Sequence, residues 1–380
     1  MLHFKDPSKL RTKKIVFEDV YCAQDSGTLE QLKELSSKRV NVESINENNS
    51  ITNAIAREMS GGLTSQYEQD IQKLELYVPL LENLIQHVEV IGDHTKVIRW
   101  TSDLKIRWTS PLSSSSFFNL MGPRFFQIDK LQFELGMVLF FYGAMLREWA
   151  SHVLKTDLVQ STTLFRKAAG VYHYLAHEIL PSLQPALTPE APPEASSSVS
   201  SIMSFICLAE AQIVTIMKAE EKQIAVGLLA KLHYGVVQLF DEAKNCFLKS
   251  VKECKDLSPS LMEYITCSKV VHELRSYKYM AQSLKGEGEI GNAIGVLKRV
   301  LEWNNNNSNV VGGMESWKVV IKEEIECVRD LVRKYTHENE FVWHEKIPYE
   351  DDLPLAQGRK IATCIDYHPQ RWERNLALKI

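Results

Sequence analysis

The chain has 380 residues, of which 44% are hydrophobic and 24% charged; this excludes a wholly disordered, collagenous or charge-dominated chain. Glycine and proline number 17 and 13, a smaller share than the usual ~12%, which favours helices over a many-turned β-sandwich. A net charge of −4 supplies no general basic field for nucleic acid.

The N-terminal MLHFKDPSKLRTKK lacks the apolar core of a secretory signal. The N-x-S matches at Asn48 and Asn306 are therefore read as unglycosylated. Residues 13–22 (KKIVFEDVYC) hold a β-branched and aromatic run that predicts a short strand. From Gln66 to Ile91, apolar side chains at Ile71, Leu74, Tyr77, Val78, Leu81, Leu84, Ile85, Val88 and Ile91 keep helical spacing, and Pro79 predicts a kink or a new segment. Two copies of I-R-W-T-S-x-L, Ile98–Leu104 and Ile106–Leu112, predict a compact extended or hairpin element, and Ser113–Ser116 a loop.

Ile128–Val153 predicts a buried helix whose longest uncharged run, LGMVLFFYGAML, has twelve residues, short of the roughly 18–20 that span a bilayer. Thr162–Leu183 predicts another helix. The Pro, Ala and Ser-rich stretch 184–201 predicts a mobile loop. Helices follow at about 202–222, 224–254, 258–285, 289–303 and 314–335, with a polar loop at 304–313. The segment 336–380, with Pro348, Pro354 and many aromatics, predicts an extended arm that packs back on the body. The terminal ALKI has no cysteine, and Leu2 follows Met1, so no lipid anchor is expected.

Candidate chemistry is sparse. The seven cysteines, at 22, 207, 246, 254, 267, 327 and 364, form no C-x-x-C, which points to reduced cytoplasmic thiols rather than disulfides or a zinc ribbon. Gly286–Gly291 spells G-x-G-x-x-G, but it follows a helical run and carries two glutamates that repel phosphate; it predicts an inter-helix turn of tetratricopeptide kind. His173 and His177 are four apart but lack the H-E-x-x-H glutamate and a third ligand. No nucleophile elbow, P-loop or cysteine–histidine signature is present. Neither enzymatic activity, metal nor cofactor is expected.

The helix IMSFICLAEAQIVTIMKAEEK has apolar residues on more than one face: Ile202, Phe205, Leu208 and Ile216 against Met203, Ile206, Cys207 and Ile213. One stripe should enter the core, and the other is either covered by a neighbouring helix or left as a groove for a partner's amphipathic helix.

Together, IRWTSPL, FELGMVLFFYGAMLREWA, TLFRKAAGVYHYL, CLAEAQIVTIMKA, LLAKLHYGVVQLFDEA and NEFVWHEKIP resemble, in this order, the Bro-one domain family of endosomal adaptors that includes Alix and Brox. The resemblance implies a mainly α fold: one elongated, curved domain over 1–380 with a tetratricopeptide-like helical-hairpin core and a small β element near the N-terminus. It also implies a non-enzymatic adaptor, cytoplasmic and recruited to endosomes, that binds the C-terminal amphipathic helix of an ESCRT-III subunit in multivesicular body formation and cargo sorting. Membrane contact would be peripheral. The patch carried over by motif position is Ile202, Met203, Ile206, Cys207 and Val332. Cys207 is smaller than the family's residue there, and Glu210 and Ile213 replace polar positions of its Q-A-Q-E. The alternative client on the same scaffold is an ESCRT-I subunit or an endosomal lipid-binding protein. The chain reads as a stand-alone Bro-one domain, without the coiled domain and proline-rich tail of Alix or the terminal prenylation cysteine of Brox.

Overall fold

The computed structural model describes residues 1–46, 65–92, 94–114, 123–183, 191–253, 256–306, 314–370 and 372–379. Asn48, Ser115, Ser116, Cys254 and parts of the two expected loops, 184–190 and 307–313, lie outside the described residues. Ten helices dominate the rest. In chain order they are α1 (Ser26–Glu43), α2 (Gln66–Ile91), α3 (Thr95–Asp103), α4 (Leu131–Val153), α5 (Leu158–Tyr174), α6 (Ser197–Glu221), α7 (Val226–Glu253), α8 (Pro259–Gly286), α9 (Ile290–Asn306) and α10 (Glu315–Glu338).

Their starts follow from local chemistry: the side chains of Asp25, Asp157 and Ser258 accept hydrogen bonds from free backbone N–H groups in the first turns of α1, α5 and α8. From α4 onward each helix packs against the next. The result is a row of helical hairpins, the mainly α fold that the composition favours and the resemblance implies. Gly286 closes α8, Gly288 turns at φ +89°, and α9 begins at Ile290, so the glycine motif is an inter-helix turn.

Several expectations need correction. The duplicated segment does not form one extended element. Its first copy is helical (α3), started by His94, whose ring accepts from Lys96 N; only the second forms a strand. That strand, β1 (Arg107–Thr109), pairs antiparallel with β2 (Phe125–Gln127). Trp108 is fully buried while Trp100 is half-buried, so the same letters adopt the backbone that their surroundings select. The strand expected over 13–22 is reduced to pairing around Thr12, which bridges Trp108. α2 runs unbroken through Pro79. Finally, the loop expected over 184–201 is partly structured: Pro192–Ser196 are buried and α6 already begins at Ser197. The physical cause is Glu194, whose carboxylate accepts from Ser110 Oγ at 2.5 Å and Leu112 N at 3.0 Å, drawing the connector into the body.

Two buried ion pairs organise the interior. Arg39 Nε donates to Glu134 Oε1 at 2.5 Å, and the same carboxylate accepts from Tyr77 and from Trp108 Nε1 at 2.6 Å; this ties α1, α2, β1 and α4 together. Arg147 on α4 holds Glu210 on α6 with two bonds, Nε–Oε2 2.7 Å and Nη2–Oε1 2.5 Å. Tyr264 of α8 donates to Glu210 at 2.6 Å, and Arg147 Nη1 also donates to Phe4 O. The Phe4 ring stacks on Tyr264 at 5.4 Å, so the N-terminal segment is held inside the bundle. Burial alone would discharge Arg147, but Glu210 outweighs it and holds the guanidinium charged.

After α10 the chain continues as an arm that runs back over one face of the row. Gly291 N at the start of α9 donates to Glu345, and Arg299 Nη2 to Pro354 O at 2.7 Å. On α7, Arg359 N donates to Lys231 O. On α5, Ile365 N donates to Arg166 O, and Arg166 Nε to Thr363 O. Farther on, Arg374 pairs with Asn83 of α2 and Glu34 of α1, and Ala377 N donates to Thr28 Oγ1. The arm lies so close that a Cβ at Gly235 would stand 2.3 Å from Arg359 O, and one at Gly170 1.8 Å from Ile365 O. Only glycine admits a backbone at that range.

Three outcomes follow. Arg147→Ala leaves Glu210 buried without its cation and should cost about 3–5 kcal/mol in urea unfolding, whereas Arg147→Met with Glu210→Leu should cost much less. Burial pushes the Glu194 carboxyl up to about 7, against hydrogen bonds from Ser110 and Leu112 that lower it. Unfolding then releases a proton between the unfolded pKa of 4.5 and about 7, so this group's contribution falls as pH rises through that window and is flat above it. The drop should be about 3 kcal/mol, and pH-dependent unfolding of Glu194→Gln should lack it. Gly170→Ala should lift the arm, and trypsin should then cut at Arg359 and Lys360 faster than in the parent while the far-ultraviolet circular dichroism is unchanged.

Candidate docking surface

The candidate surface lies on α6. This helix is long and apolar enough to cross a bilayer, but 78% of its most apolar window is buried inside the protein, so it is a central core helix with neighbours on nearly every side.

Of the five residues expected to form a patch, four are in the core. Ile202, Met203, Ile206 and Cys207 are each 0% exposed, and a side chain without accessible surface cannot touch a docked helix. The reason lies on the same helix: with Glu210 they occupy the side turned to α4 and α8, where Arg147 and Tyr264 wait. The Cys207 thiol is pushed well up by burial and by Glu210, so it stays protonated and inert. Val332 is half-buried and packs in a second hydrophobic cluster of α8, α9, α10 and Leu353, separate from the cluster that holds the four α6 residues.

What α6 does present is a different stripe. Ser201, Phe205, Leu208, Thr215 and Ala219 are half-exposed and recur at three-, four- and seven-residue intervals along one face. Gln212 completes that face but is itself buried beneath the arm. Its Nε2 donates to Leu232 O of α7 at 2.7 Å and to Arg359 O at 3.0 Å, while its Oε1 accepts from Ile361 N at 2.9 Å. One amide thus holds α7 and the arm to α6, and Gly235 leaves the room for it, since a Cβ there would also be 2.5 Å from Gln212 Nε2.

The arm crosses the stripe at Gln212 and divides it. On one side are Ser201, Phe205 and Leu208. On the other are Thr215 and Ala219 with the half-exposed Lys218, and Ile361 of the arm, 41% exposed, borders the crossing. Val159, two turns before the arm-bound Arg166 on α5, is 56% exposed. Thr215 Oγ1 is satisfied by Ala211 O, so the threonine offers mainly its methyl. Such a surface can hold an amphipathic helix by apolar contact with a charged rim.

Phe205 and Leu208 were already legible within one of two apolar stripes, but Ile202 and Ile216 of that same stripe are buried. The sign that theirs faces outward was Gln212, a polar residue in the middle of an apolar row. Glu210, where the resemblance expects a glutamine, is the partner of Arg147, the one Lys or Arg of α4 and the residue directly after its apolar run.

His177 Nδ1 lies 2.8 Å from His173 O, and no group of three metal-ligating side chains occurs among the described residues. His233 and His272 meet at 2.9 Å between Nδ1 atoms, and burial lowers the pKa of each, which keeps them neutral.

Comparison with known proteins agrees with this architecture. The BRO1-like domain family matches residues 32–377. The BRO1 domain-containing protein BROX of Mus musculus is 23% identical over 287 residues, covering 73% of this chain and 67% of the relative. Among solved structures, the ALIX BRO1 domain in complex with CHMP4C superposes with a TM-score of 0.67 at 17% identity, covering 94% of each chain. A Bro1 domain described for endosomal targeting gives 0.63 at 17% identity, covering 93% of this chain and 91% of the other. A match across nearly the whole sequence, joined to the row of helical hairpins and the small early sheet, leaves one assignment: this chain belongs to the BRO1-like domain family.

Proposed function

We propose that the protein is a cytoplasmic adaptor that binds the C-terminal amphipathic helix of an ESCRT-III subunit and is recruited through it to endosomes, where it acts in cargo sorting. Family membership is the main support, together with the likeness to a BRO1 domain solved with CHMP4C over 94% of both chains. The outer stripe of α6 carries the reading at residue level. Phe205 and Leu208 would supply apolar anchors on one side of the arm, and Thr215 with Lys218 a more polar landing on the other. The mode is helix-in-groove recognition, in which a few anchors supply affinity and rim charges set orientation. No catalytic step is assigned to it.

The test is a titration of the purified chain with C-terminal helix peptides of ESCRT-III subunits. A carboxylate forced against an apolar partner costs several kcal/mol. Leu208→Asp or Phe205→Asp should therefore weaken binding by at least about tenfold in variants shown to remain folded, whereas Ile206→Asp should unfold the protein because Ile206 is completely buried. Absence of binding to any such peptide by the folded parent would overturn the reading and direct the search to an ESCRT-I subunit or another client.

A further inference from the structure

The small sheet has an outer face on which the adaptor reading makes no demand. Thr12 bridges Trp108, with Lys13 N donating to Arg107 O and Thr109 N to Arg11 O, so residues 11–13 form a third row beside β1 and β2. Successive side chains on a strand point to opposite sides. Thr12, Trp108 and Phe126 turn inward and are buried. Arg11, Lys13, Arg107, Phe125 and Gln127 therefore share the outer side.

Three of those five are cations, and Lys13 stands directly across from Arg107. Like charges in that position repel each other. Among the described residues none of the three has an ion pair. The acids close by in the chain are engaged elsewhere: Asp129 accepts from Gln127 Nε2 at 3.0 Å and Ser102 Oγ at 2.9 Å, and Asp6 is held by Lys9 at 2.7 Å. Arg107 is half-buried, and its Nε is shut off from water without an acceptor. Such an N–H is costly, and a carboxylate on the guanidinium fork would supply what it lacks. Lys13 Nζ lies 4.7 Å over the Phe125 ring, so the amine folds down across the sheet and covers the aromatic ring of this face. With no apolar side chain left to project, the face has nothing to insert into a bilayer.

We propose that this outer face binds an acidic segment of a partner polypeptide in extended form, with carboxylates on alternate residues. Arg11 and Lys13 are spaced by about 7 Å along their strand, which is the repeat of every second side chain in an extended peptide, and Arg107 takes the carboxylate that reaches Lys13. On a chain of net charge −4, a local basic face selects an acidic partner by charge complementarity. This surface goes beyond the docking surface on α6 and does not rest on it.

Fluorescence anisotropy of the purified full chain with labelled acetyl-Glu-Ser-Glu-Ser-Glu-Ser-amide provides the test, with the glutamine analogue as the uncharged control. The acidic peptide should bind saturably and more weakly as salt is raised, and the glutamine peptide should not bind. Lys13→Gln combined with Arg107→Gln should lower the affinity by at least about tenfold, with an unchanged far-ultraviolet circular dichroism as the check on folding. Arg11→Gln, at an exposed side chain, should weaken binding as well. Lys298→Gln combined with Lys322→Gln removes the same charge from exposed positions on α9 and α10 and should leave the affinity unchanged. The proposal is overturned by no binding into the millimolar range, by equal losses in the two double variants, or by binding to phosphatidylserine vesicles that the Lys13 and Arg107 variant loses while it keeps the peptide.

Discussion

The structure depends most on how a stretch of irregular chain is made part of a helical body. Gln212 is the centre of that arrangement. A backbone strand crossing helices brings unpaired N–H and C=O groups against an apolar surface, and each would be costly to bury alone. The Gln212 amide matches the arm as a neighbouring strand would, accepting from Ile361 N and donating to Arg359 O, while it also satisfies Leu232 O. Arg359 N in turn finds Lys231 O. Gly235 provides the close approach at these bonds, and Gly170 does the same where Ile365 passes over α5. The arm is pinned at Gln212 and so divides the outer face of α6.

The buried ion pairs act on a different scale. Isolated charges in the interior are rarely a source of stability, yet Arg147 with Glu210 and Arg39 with Glu134 each collect three or more structural elements at one point. A row of apolar helices could slide along its ridges with little change in buried area. A two-pronged guanidinium–carboxylate contact cannot, because a shift of one turn would leave a charge bare. The Arg147–Glu210 pair therefore favours one register of α4 against α6, with Ile202 and Ile206 turned inward and Phe205 and Leu208 outward.

That dependence explains which parts were legible in the sequence. Helices from α4 onward could be read because their apolar spacing is set locally, and the glycine motif could be dismissed as a nucleotide site because a helix precedes it. The family was legible from the order of motifs. The orientation of α6 was not: both of its stripes are apolar, and the choice between them lies with Arg147, sixty-three residues away from Glu210 in the chain. For the same reason the two I-R-W-T-S copies could not be separated, since their fates differ through burial of Trp108 against Glu134. The ordering of Pro192–Ser196 likewise hangs on one long-range carboxylate, Glu194, which composition alone marks as part of a polar loop.

The contact of Ala377 with Thr28 joins residues 349 positions apart, and Gln24 N similarly donates to Ala377 O. On the ribosome, the first helix therefore emerges long before its last partner exists. The helical row can assemble progressively from neighbours, but the outer face of α6 and the Gln212 amide remain uncovered until the arm has been made. During synthesis this protein passes through a nearly complete body with an open flank, a stage in which a chaperone, rather than its own chain, would have to cover that surface.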